Sequence, residues 1–211
     1  QDWYKMSLYE GAVRVPLAIA GPGIAQGQRV QNLVSLIDLC PTFVEMGGLP
    51  APPVADGESL MPLATGATEQ SRNCAYACFM GCTLNTSGYM LRKGPWKYVV
   101  YHGYPCQLFN MDDDPDELVN LANDCPEIVR SLDADLREIV NCDQTHREWK
   151  GYCKEEFRQW RRQAKRGLHI DKAYGLIGNP STDYWTIMDN CFTGYDEADE
   201  TTVEAWLSER D

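Results

Sequence analysis

The residues with the clearest capacity for chemistry lie close to the start of the chain. They follow the spacing K-x-x-x-Y-E-x-x-x-R-x-P and are Lys5, Tyr9, Glu10, Arg14 and Pro16. A lysine ammonium is a compact positive charge that can neutralise anionic oxygen atoms as negative charge develops on them. Lys5 is therefore the candidate for chemistry, and we expect Glu10 and Arg14 to form a structural ion pair that braces the same loop.

The cysteine content indicates an oxidising compartment. The nine cysteines stand at positions 40, 74, 78, 82, 106, 125, 142, 153 and 191. Together with an N-glycosylation sequon at Asn85, this number predicts a glycoprotein with disulfide bonds, located in the lysosome or outside the cell. An odd count leaves one thiol free or paired with another chain. Cys74, Cys78 and Cys82 lie four residues apart with no histidine nearby, so we predict no metal site in this chain.

The overall composition excludes two classes of function. The 211 residues have a mean hydropathy of −0.42, and no run approaches the roughly 18 apolar residues that a membrane-spanning helix requires. Lys and Arg total 19 against 31 Asp and Glu, which gives a net charge of −12. That sign is wrong for neutralising phosphates, so nucleic acid is not a predicted partner.

Two patterns predict the elements near the start of the chain. Val13–Ala20 is mostly apolar and ends at a Gly-Pro-Gly turn, which predicts a buried strand. Asp38 can cap a helix whose end is marked by Gly47 and Gly48. Pro62–Asn73 then loses its apolar runs and gains Gly, Thr and Ser, the composition of an exposed connection between domains.

The middle of the chain predicts a small antiparallel sheet packed by a helix. Tyr89–Leu91 and Trp96–Tyr101 are β-rich runs separated by a turn that contains Gly-Pro, and Gln107–Met111 supplies a third strand. Asp114–Glu117 has the pattern of a capping box that starts a helix. From Pro126 onward, apolar residues recur at helical spacing, so this helix should pack on the sheet.

The last part of the chain is predicted to be helical. His146–Arg166 has an aromatic face and a basic end, and Val203–Leu207 suggests a short closing helix. We therefore divide the chain into three regions, residues 1–68, 69–142 and 143–211.

The cluster around Lys5 resembles the lysine motif of the sulfatases of the alkaline phosphatase superfamily. Later segments are also similar to that family: Pro16–Ile24, Val34–Thr42, Gly81–Arg92, Trp96–Tyr98, Gln107–Phe109 and Asp114–Leu118. The resemblance implies an α/β fold of which this chain is the C-terminal part. Residues 1–68 would supply edge elements of the large sheet, 69–142 the small antiparallel sheet packed by helices, and 143–211 a helical extension.

The resemblance also implies an activity and its cofactors. Sulfatases hydrolyse sulfate esters with a formylglycine made from the cysteine of a C-x-P-x-R sequence, and they hold Ca²⁺ with Asp and Asn side chains. Cys40 is followed by Pro-Thr-Phe-Val, and no other cysteine of this chain begins C-x-P-x-R. We therefore expect a two-chain enzyme in which an N-terminal chain of the same precursor carries the formylglycine and most Ca²⁺ ligands, with a disulfide as one way of joining the two. This chain alone should be inactive.

Two residues of this chain receive roles from the resemblance. By position, Lys5 matches a lysine that contacts the sulfate group, which implies both a catalytic and a substrate-binding role. The implied substrate is a sulfated sugar such as 2-O-sulfoglucuronate in glycosaminoglycans. Related sulfatases carry a histidine where Met80 stands, and methionine can neither donate a hydrogen bond nor carry charge. His102 is the candidate to replace it at the substrate, and the alternative is a solvated loop histidine.

Two other functions stay open at this point. The methionine at position 80 and the abundance of cysteine suit a catalytically inactive relative that serves as a secreted binding or structural glycoprotein. The same fold could also act on a phosphate or phosphonate ester, and zinc or manganese in place of calcium would then be expected.

Overall fold

Four segments in the middle of the chain pair in sequence order into one antiparallel sheet. The computed structural model describes residues 7–50, 53–68, 71–80, 86–165 and 200–209. The strands are β1 (Cys74–Phe79), β2 (Gly88–Lys93), β3 (Trp96–Tyr101) and β4 (Gln107–Asn110). The chain divides into two compact units, Gln1–Cys142 and Asp143–Asp211, and the sheet belongs to the first. The predicted boundary after residue 68 stays a prediction.

The predicted hairpin is confirmed as β2 and β3. Lys93 pairs with Trp96 across a two-residue loop, and Gly94 enters this loop with a φ of 55°, which glycine adopts without a Cβ clash. Strand β4 confirms the third predicted strand. Strand β1 was not predicted. Its sequence, CAYACF, contains alanines, which are depleted in strands, and it directly follows the polar connection.

The two faces of the sheet are covered by different parts of the chain. One face packs on helix α4 (Pro126–Ile139), as the apolar spacing of that segment predicts. The buried members of this first core are Tyr89, Leu91, Tyr98, Leu108, Leu132, Leu136 and Cys142. The opposite face carries Met90 and Val99, which pack against Leu8 of the N-terminal segment. Because side chains alternate between the two faces of a strand, each sheet residue contacts either α4 or the N-terminal segment.

Short helices and irregular backbone make up the described residues that precede the sheet. The helices are α1 (Glu10–Val13), α2 (Leu39–Met46) and α3 (Met61–Ala64), with a 3-10 turn at Leu36–Asp38. The buried strand expected at Val13–Ala20 is wrong for the described residues, because no strand forms there and Val15 and Leu17 are 42% and 43% exposed. A strand needs a neighbour for its backbone hydrogen bonds, and the described part of the chain brings none beside it.

Asp38 connects three stretches of chain in a role that differs from the predicted helix cap. The helix that begins after it is confirmed as α2, yet the Asp38 side chain makes no capping bond to that helix and closes the capping box of the preceding 3-10 turn instead. Its buried carboxylate accepts the backbone N–H groups of Ser35 at 2.7 Å and Glu58 at 2.9 Å. It also accepts a hydrogen bond from the Arg72 guanidinium at 2.6 Å. The region before the sheet is therefore tied together by one buried acid.

The helix predicted from the capping pattern at Asp114–Glu117 is wrong. The segment is a turn in which the Asp114 carboxylate accepts the N–H groups of Leu118 and Val119, at 3.0 and 2.8 Å. Glu117 has a φ of 57°, in the left-handed region that a right-handed helix cannot contain. Its side chain is 4% exposed and reaches the buried lysine Lys97 instead of the local backbone. A tertiary contact has therefore overridden a local pattern.

Helices make up the larger part of what the structure describes of the second unit. Helix α5 (Cys142–Lys165) begins at the last residue of the first unit and confirms the long helix predicted there, and α6 (Glu200–Ser208) confirms the closing helix. The Arg158 guanidinium donates two hydrogen bonds to the Glu204 carboxylate, at 2.8 and 2.7 Å, and these bonds lower the pKa of that carboxyl. Among the residues that the structure describes, no helix is long and apolar enough to cross a membrane.

Gly88 leaves room for the side chains that cover it on the face opposite α4. A Cβ at this position would lie 2.6 Å from Cε1 of Tyr101 and 3.0 Å from Cδ1 of Leu8. We therefore expect Gly88→Ala to lower the free energy of unfolding by about 1–3 kcal/mol through overpacking, as measured by urea unfolding. Gly11→Ala is the matched control, because nothing lies within 4 Å of its added Cβ. Equal losses in the two variants would contradict this account.

Tyr98 links β3 to α4 and sets an alkaline limit on stability. Its hydroxyl donates to Asp133 at 3.0 Å, and burial, followed by this hydrogen bond, raises the pKa of Tyr98 well above its ordinary value of 10.0. The unfolded phenol ionises first, so this contribution to stability is complete below about pH 10 and is lost as the pH rises further.

We expect Tyr98→Phe to flatten the fall of the unfolding free energy above about pH 10, measured by urea unfolding at stepped pH. Tyr104→Phe, at a position that is 64% exposed, is the control. A slope that stays the same in Tyr98→Phe would show that the buried phenol does not cause the alkaline loss.

Candidate functional site

Three consecutive residues fasten the N-terminal segment to the sheet. Leu8 is 2% exposed in the core on the face opposite α4. The Gln107 amide donates to the Tyr9 hydroxyl at 2.9 Å, and the Tyr9 ring lies 6.0 Å from the ring of Phe109. Glu10 begins α1 and supplies the charge of the next contact.

A buried lysine joins two carboxylates that are far apart in the sequence. Lys97 on β3 has a side chain that is 0% exposed, and its Nζ lies 2.6 Å from a Glu117 oxygen and 3.1 Å from a Glu10 oxygen. The second Glu117 oxygen accepts the backbone N–H of Glu10 at 2.7 Å. Arg92 on β2 places its guanidinium 2.9 Å from the Glu10 carboxylate. We call these residues the buried ion network: Glu10, Arg92, Lys97 and Glu117.

The buried ion network balances its own charge. Arg92 and Lys97 are paired across β2 and β3, where two cations side by side would repel each other. Glu10 prevents this because one of its oxygens meets Lys97 and the other meets Arg92. Two cations thus face two carboxylates, and none is left as an unpaired buried ion, which would cost several kcal/mol. A lysine enclosed in this way serves structure and is not available to a substrate.

The predicted ion pair between Glu10 and Arg14 is present, but it is the longest contact that Glu10 makes with a cation. The two charged groups are 3.8 Å apart, and the Arg14 side chain is 69% exposed. The closer partners, Lys97 and Arg92, were missed by reasoning from the sequence. One signal for them existed, because Lys97 is the single charge within the run WKYVVY. Strand alternation puts it on the same buried face as Val99, where a lysine requires an anion.

Two positions singled out from the sequence come to the same end of the sheet. Strands β1 and β3 both finish at the level of Gly88, so Met80 and His102, which follow them, lie at that end. His102 is half-buried, and its backbone N–H donates to the Ser87 carbonyl at 2.9 Å. Its own carbonyl accepts the Thr86 hydroxyl at 2.7 Å. The loop of His102 is therefore held by its backbone.

Leu8 brings the N-terminal segment to that end of the sheet as well. It packs in one cluster with Phe79 and Tyr101, the last residues of β1 and β3. Lys5 precedes Leu8 by three positions in the sequence. Lys5 and the sequon residue Asn85 lie outside the described residues, so their roles stay predictions.

The described residues offer no ligand set for a metal ion. No group of three or more His, Cys, Asp or Glu side chains converges within the parts of the chain that the structure describes. The resemblance implies that the formylglycine and most Ca²⁺ ligands lie on an N-terminal chain, and this stays a prediction. Free thiols are present at Cys40, Cys74, Cys78, Cys106 and Cys125. Burial raises the pKa of the Cys74 thiol, which makes it a poor nucleophile.

One known protein family matches the part of the chain that contains the N-terminal segment and the sheet. The family described as N-sulphoglucosamine sulphohydrolase, C-terminal, matches residues 1–142, which include the N-terminal segment, the whole sheet and α4. The chain therefore belongs to this family of sulfatase C-terminal domains, and the resemblance to the sulfatases is confirmed.

Among individual proteins, arylsulfatase K is similar to this chain. The protein from Rattus norvegicus is 40% identical over 171 residues, which cover 76% of this chain and 30% of the relative. The protein from Homo sapiens is 39% identical over 171 residues, which cover 76% of this chain and 32% of the relative. The chain thus spans about a third of the length of the curated relatives it matches.

Solved structures agree with the predicted α/β fold of the alkaline-phosphatase-like sulfatases. A 2-O GAG sulfatase superimposes with a TM-score of 0.52 and 29% identity, over 57% of this chain and 28% of that one. A phosphonate monoester hydrolase from Silicibacter pomeroyi has a TM-score of 0.52 and 28% identity, over 65% of this chain and 29% of that one.

The buried ion network predicts an asymmetry between two lysines of one hairpin. Lys97→Met would remove the cation that pairs with the buried Glu117 among the described residues, and we expect the unfolding free energy to fall by about 3–5 kcal/mol. Lys93→Met removes the same charge from a pair with Asp135 in which the lysine is 53% exposed, and it should cost at most about 1 kcal/mol. Urea unfolding of both variants tests this, and similar losses would contradict it.

Proposed function

We propose that this chain is the C-terminal portion of a sulfatase that hydrolyses sulfate esters of sugars, and that Lys5 contacts the sulfate group. The observation that carries the proposal is the family match over residues 1–142, within which Leu8–Glu10 is bound to the small sheet. A lysine ammonium next to the ester would neutralise the sulfate oxygens and the leaving oxygen as charge grows on them. Because the ammonium stabilises the transition state, where this charge is larger, more than the ground state, it lowers the barrier.

The proposed partner is an N-terminal portion of the same precursor. It would carry the C-x-P-x-R cysteine as formylglycine, which supplies the nucleophile, because this chain contains no such cysteine. It would also carry most of the Ca²⁺ ligands. Large apolar side chains around α2 support an interface there, since they are about half or more exposed: Leu36 60%, Ile37 49%, Phe43 63%, Met46 55% and Leu49 64%. Exposed apolar residues that lie together in this way indicate a contact surface.

The proposed substrate is a glycosaminoglycan chain that ends in 2-O-sulfated glucuronate, and the proposed location is the lysosome or the extracellular space. Support comes from the similarity to arylsulfatase K and to a protein described as a 2-O GAG sulfatase. The net charge of −12 opposes a polyanion at long range. Lysosomal pH weakens this repulsion, because carboxylates protonate as the pH approaches their ordinary pKa of about 4. His102 is the residue that we propose to bind the sugar beside Lys5.

Two observations favour other functions. Met80 cannot donate a hydrogen bond to a substrate, which suits an inactive secreted glycoprotein with a binding or structural role. The similarity to a phosphonate monoester hydrolase at 28% identity supports a phosphonate or phosphate ester as the substrate. The metal content of the assembled protein distinguishes a phosphonate or phosphate esterase from a sulfatase, because zinc or manganese would replace calcium in the esterase.

In the assembled protein, Lys5→Ala is expected to reduce kcat/KM for a 2-O-sulfated glucuronide by about 10²–10³-fold. This is the magnitude typical of removing one donor to a developing oxyanion. Lys5→Arg should recover part of the loss, because it restores the charge without the compact shape. The measurement is sulfate release by ion chromatography.

The control for this prediction is Arg130→Ala, which removes a cation whose side chain is 77% exposed on α4. It should leave kcat/KM unchanged. Full activity in Lys5→Ala would contradict the role of Lys5. Absence of sulfate release by the parent, with an unmodified residue in the C-x-P-x-R position by mass spectrometry, would favour the inactive glycoprotein.

A further inference from the structure

We propose that the outer edge of β1 binds the same edge of a second copy of this chain, so that two four-stranded sheets join into one continuous sheet. In this dimer, Cys74 of each copy forms a disulfide with Cys78 of the other. The inference goes beyond the proposed function and does not depend on it.

One edge of the sheet is covered and the other is open. At the covered edge, the N–H of Leu108 on β4 donates to the Asn120 side chain at 3.0 Å, and the Leu108 carbonyl accepts the N–H of Leu121 at 2.8 Å. Strand β1 forms the opposite edge, and β2 is its only neighbour among the strands of the described residues. The segment before the sheet bonds to Asn73, which precedes β1, through the N–H of Leu33. Within the described part of the chain, no backbone hydrogen bond reaches the outer side of β1 itself.

The register of the sheet shows which backbone groups of β1 point away from β2. The N–H of Gly94 donates to the carbonyl of Asn73 at 3.4 Å, so these two residues form a hydrogen-bonded pair of the β1–β2 ladder. Such pairs alternate with pairs that are not hydrogen-bonded along an antiparallel ladder. The residues of β1 that point their N–H and C=O groups outward are therefore Cys74, Tyr76 and Cys78.

The sequence of β1 does not protect this open edge. Natural edge strands avoid pairing by carrying charged side chains, proline or a bulge. The strand reads CAYACF, without a charged residue or a proline, and its pairing with β2 runs without a bulge from Cys74 to Phe79. An unprotected edge of this kind is a template for another strand.

The outward residues are arranged symmetrically about Tyr76, which favours a second copy as the occupant. A two-fold axis at Tyr76 runs the two β1 strands antiparallel and places Cys74 of one copy opposite Cys78 of the other. Each outward pair then exchanges two hydrogen bonds. On the other face of the sheet, Ala75 meets Ala77 of the second copy, and side chains this small do not obstruct the approach. The same surface is used by both copies, as a two-fold interface requires.

The spacing of the two cysteines fits the same register. In a hydrogen-bonded antiparallel pair the Cα atoms are about 5.5 Å apart, a separation that a disulfide spans. Within one copy, Cys74 and Cys78 are separated by about 13 Å of extended strand, which is too far for a disulfide. Both are free thiols in the single chain. A bond between these two positions therefore requires a second copy.

The disulfide forms by two exchange steps, with a small-molecule disulfide such as oxidised glutathione as the oxidant. Cys78, which is exposed, loses its proton to water, and its thiolate attacks the oxidant to give a mixed disulfide and one glutathione thiolate. The thiolate of Cys74 from the other copy then attacks Sγ of Cys78 and releases the second glutathione thiolate. Two protein thiols are oxidised, one glutathione disulfide is reduced, and the released thiolates take up the two protons.

Tyr76→Pro tests the backbone pairing in the full-length protein. Proline removes an N–H that points outward, so the β1–β2 ladder stays complete. Tyr76→Val is the matched control, because it also loses the aromatic ring but keeps the N–H. Under reducing conditions we expect dimers of the parent and of Tyr76→Val by sedimentation equilibrium. In Tyr76→Pro the dimer dissociation constant should rise by about tenfold or more.

Peptide mapping tests the cysteine pairing independently of the proline variant. Unlabelled and isotope-labelled protein are mixed in reduced form, oxidised with glutathione disulfide and cleaved with chymotrypsin, which cuts after Tyr76 and so separates Cys74 from Cys78. We expect Cys74 peptides linked to Cys78 peptides, with light and heavy partners joined to each other. Cys78→Ser should abolish the covalent dimer, while Cys40→Ser, at an exposed position on α2, should not.

The outcomes decide the inference separately from the proposed function. A dimer that Tyr76→Pro weakens and Tyr76→Val does not, with Cys74 linked to Cys78 between copies, supports it. A monomeric parent would overturn it, and slow exchange of the three outward amides in that monomer would assign the edge to a strand of the N-terminal portion. Equal dimerisation of the two Tyr76 variants, or cysteines at 74 and 78 that stay thiols or bond elsewhere, would also overturn it. Sulfate release enters none of these measurements.

Discussion

The buried ammonium of Lys97 is the constraint on which the arrangement of the first unit depends. A buried ion is costly unless it is paired with opposite charge. The carboxylates of Glu10 and Glu117 pair with this ammonium. The N-terminal segment, the centre of the sheet and the loop after β4 are therefore brought to one point. Apolar contacts such as those of Leu8 hold the same segments together, but they would tolerate small shifts that a short ion pair does not.

This constraint explains why the two faces of the sheet behave differently. The face toward α4 is covered by apolar packing. Such packing requires that the space be filled, but it does not fix the position of any single atom closely. The face toward the N-terminal segment combines a small apolar cluster with directed polar contacts, such as the one between Tyr9 and Gln107.

Local patterns allowed the prediction of those elements whose causes are local. The β2–β3 hairpin follows from a Gly-Pro turn between β-rich runs, and α4 follows from its apolar spacing. The pattern at Asp114–Glu117 failed because a contact with Lys97, distant in sequence, outweighs helix capping. The sequence indicated that Lys97 needs an anion but not which one, since no spacing rule connects positions 10, 97 and 117. Lys5 was singled out by the cluster of polar residues around it, but its role came only from a family motif, because an isolated lysine in such a place is more often an ordinary surface residue.

The long sequence separation within the network has a consequence for synthesis on the ribosome. Glu10 and Glu117 are 107 positions apart, and at roughly 5–20 residues per second Glu10 is made about 5 to 20 s before its partner exists. The sheet, by contrast, pairs each strand with its neighbour in sequence, so its hairpins can close within microseconds of leaving the exit tunnel. The segment that follows Lys5 must therefore wait for its anchor, and it docks onto a sheet that is already formed.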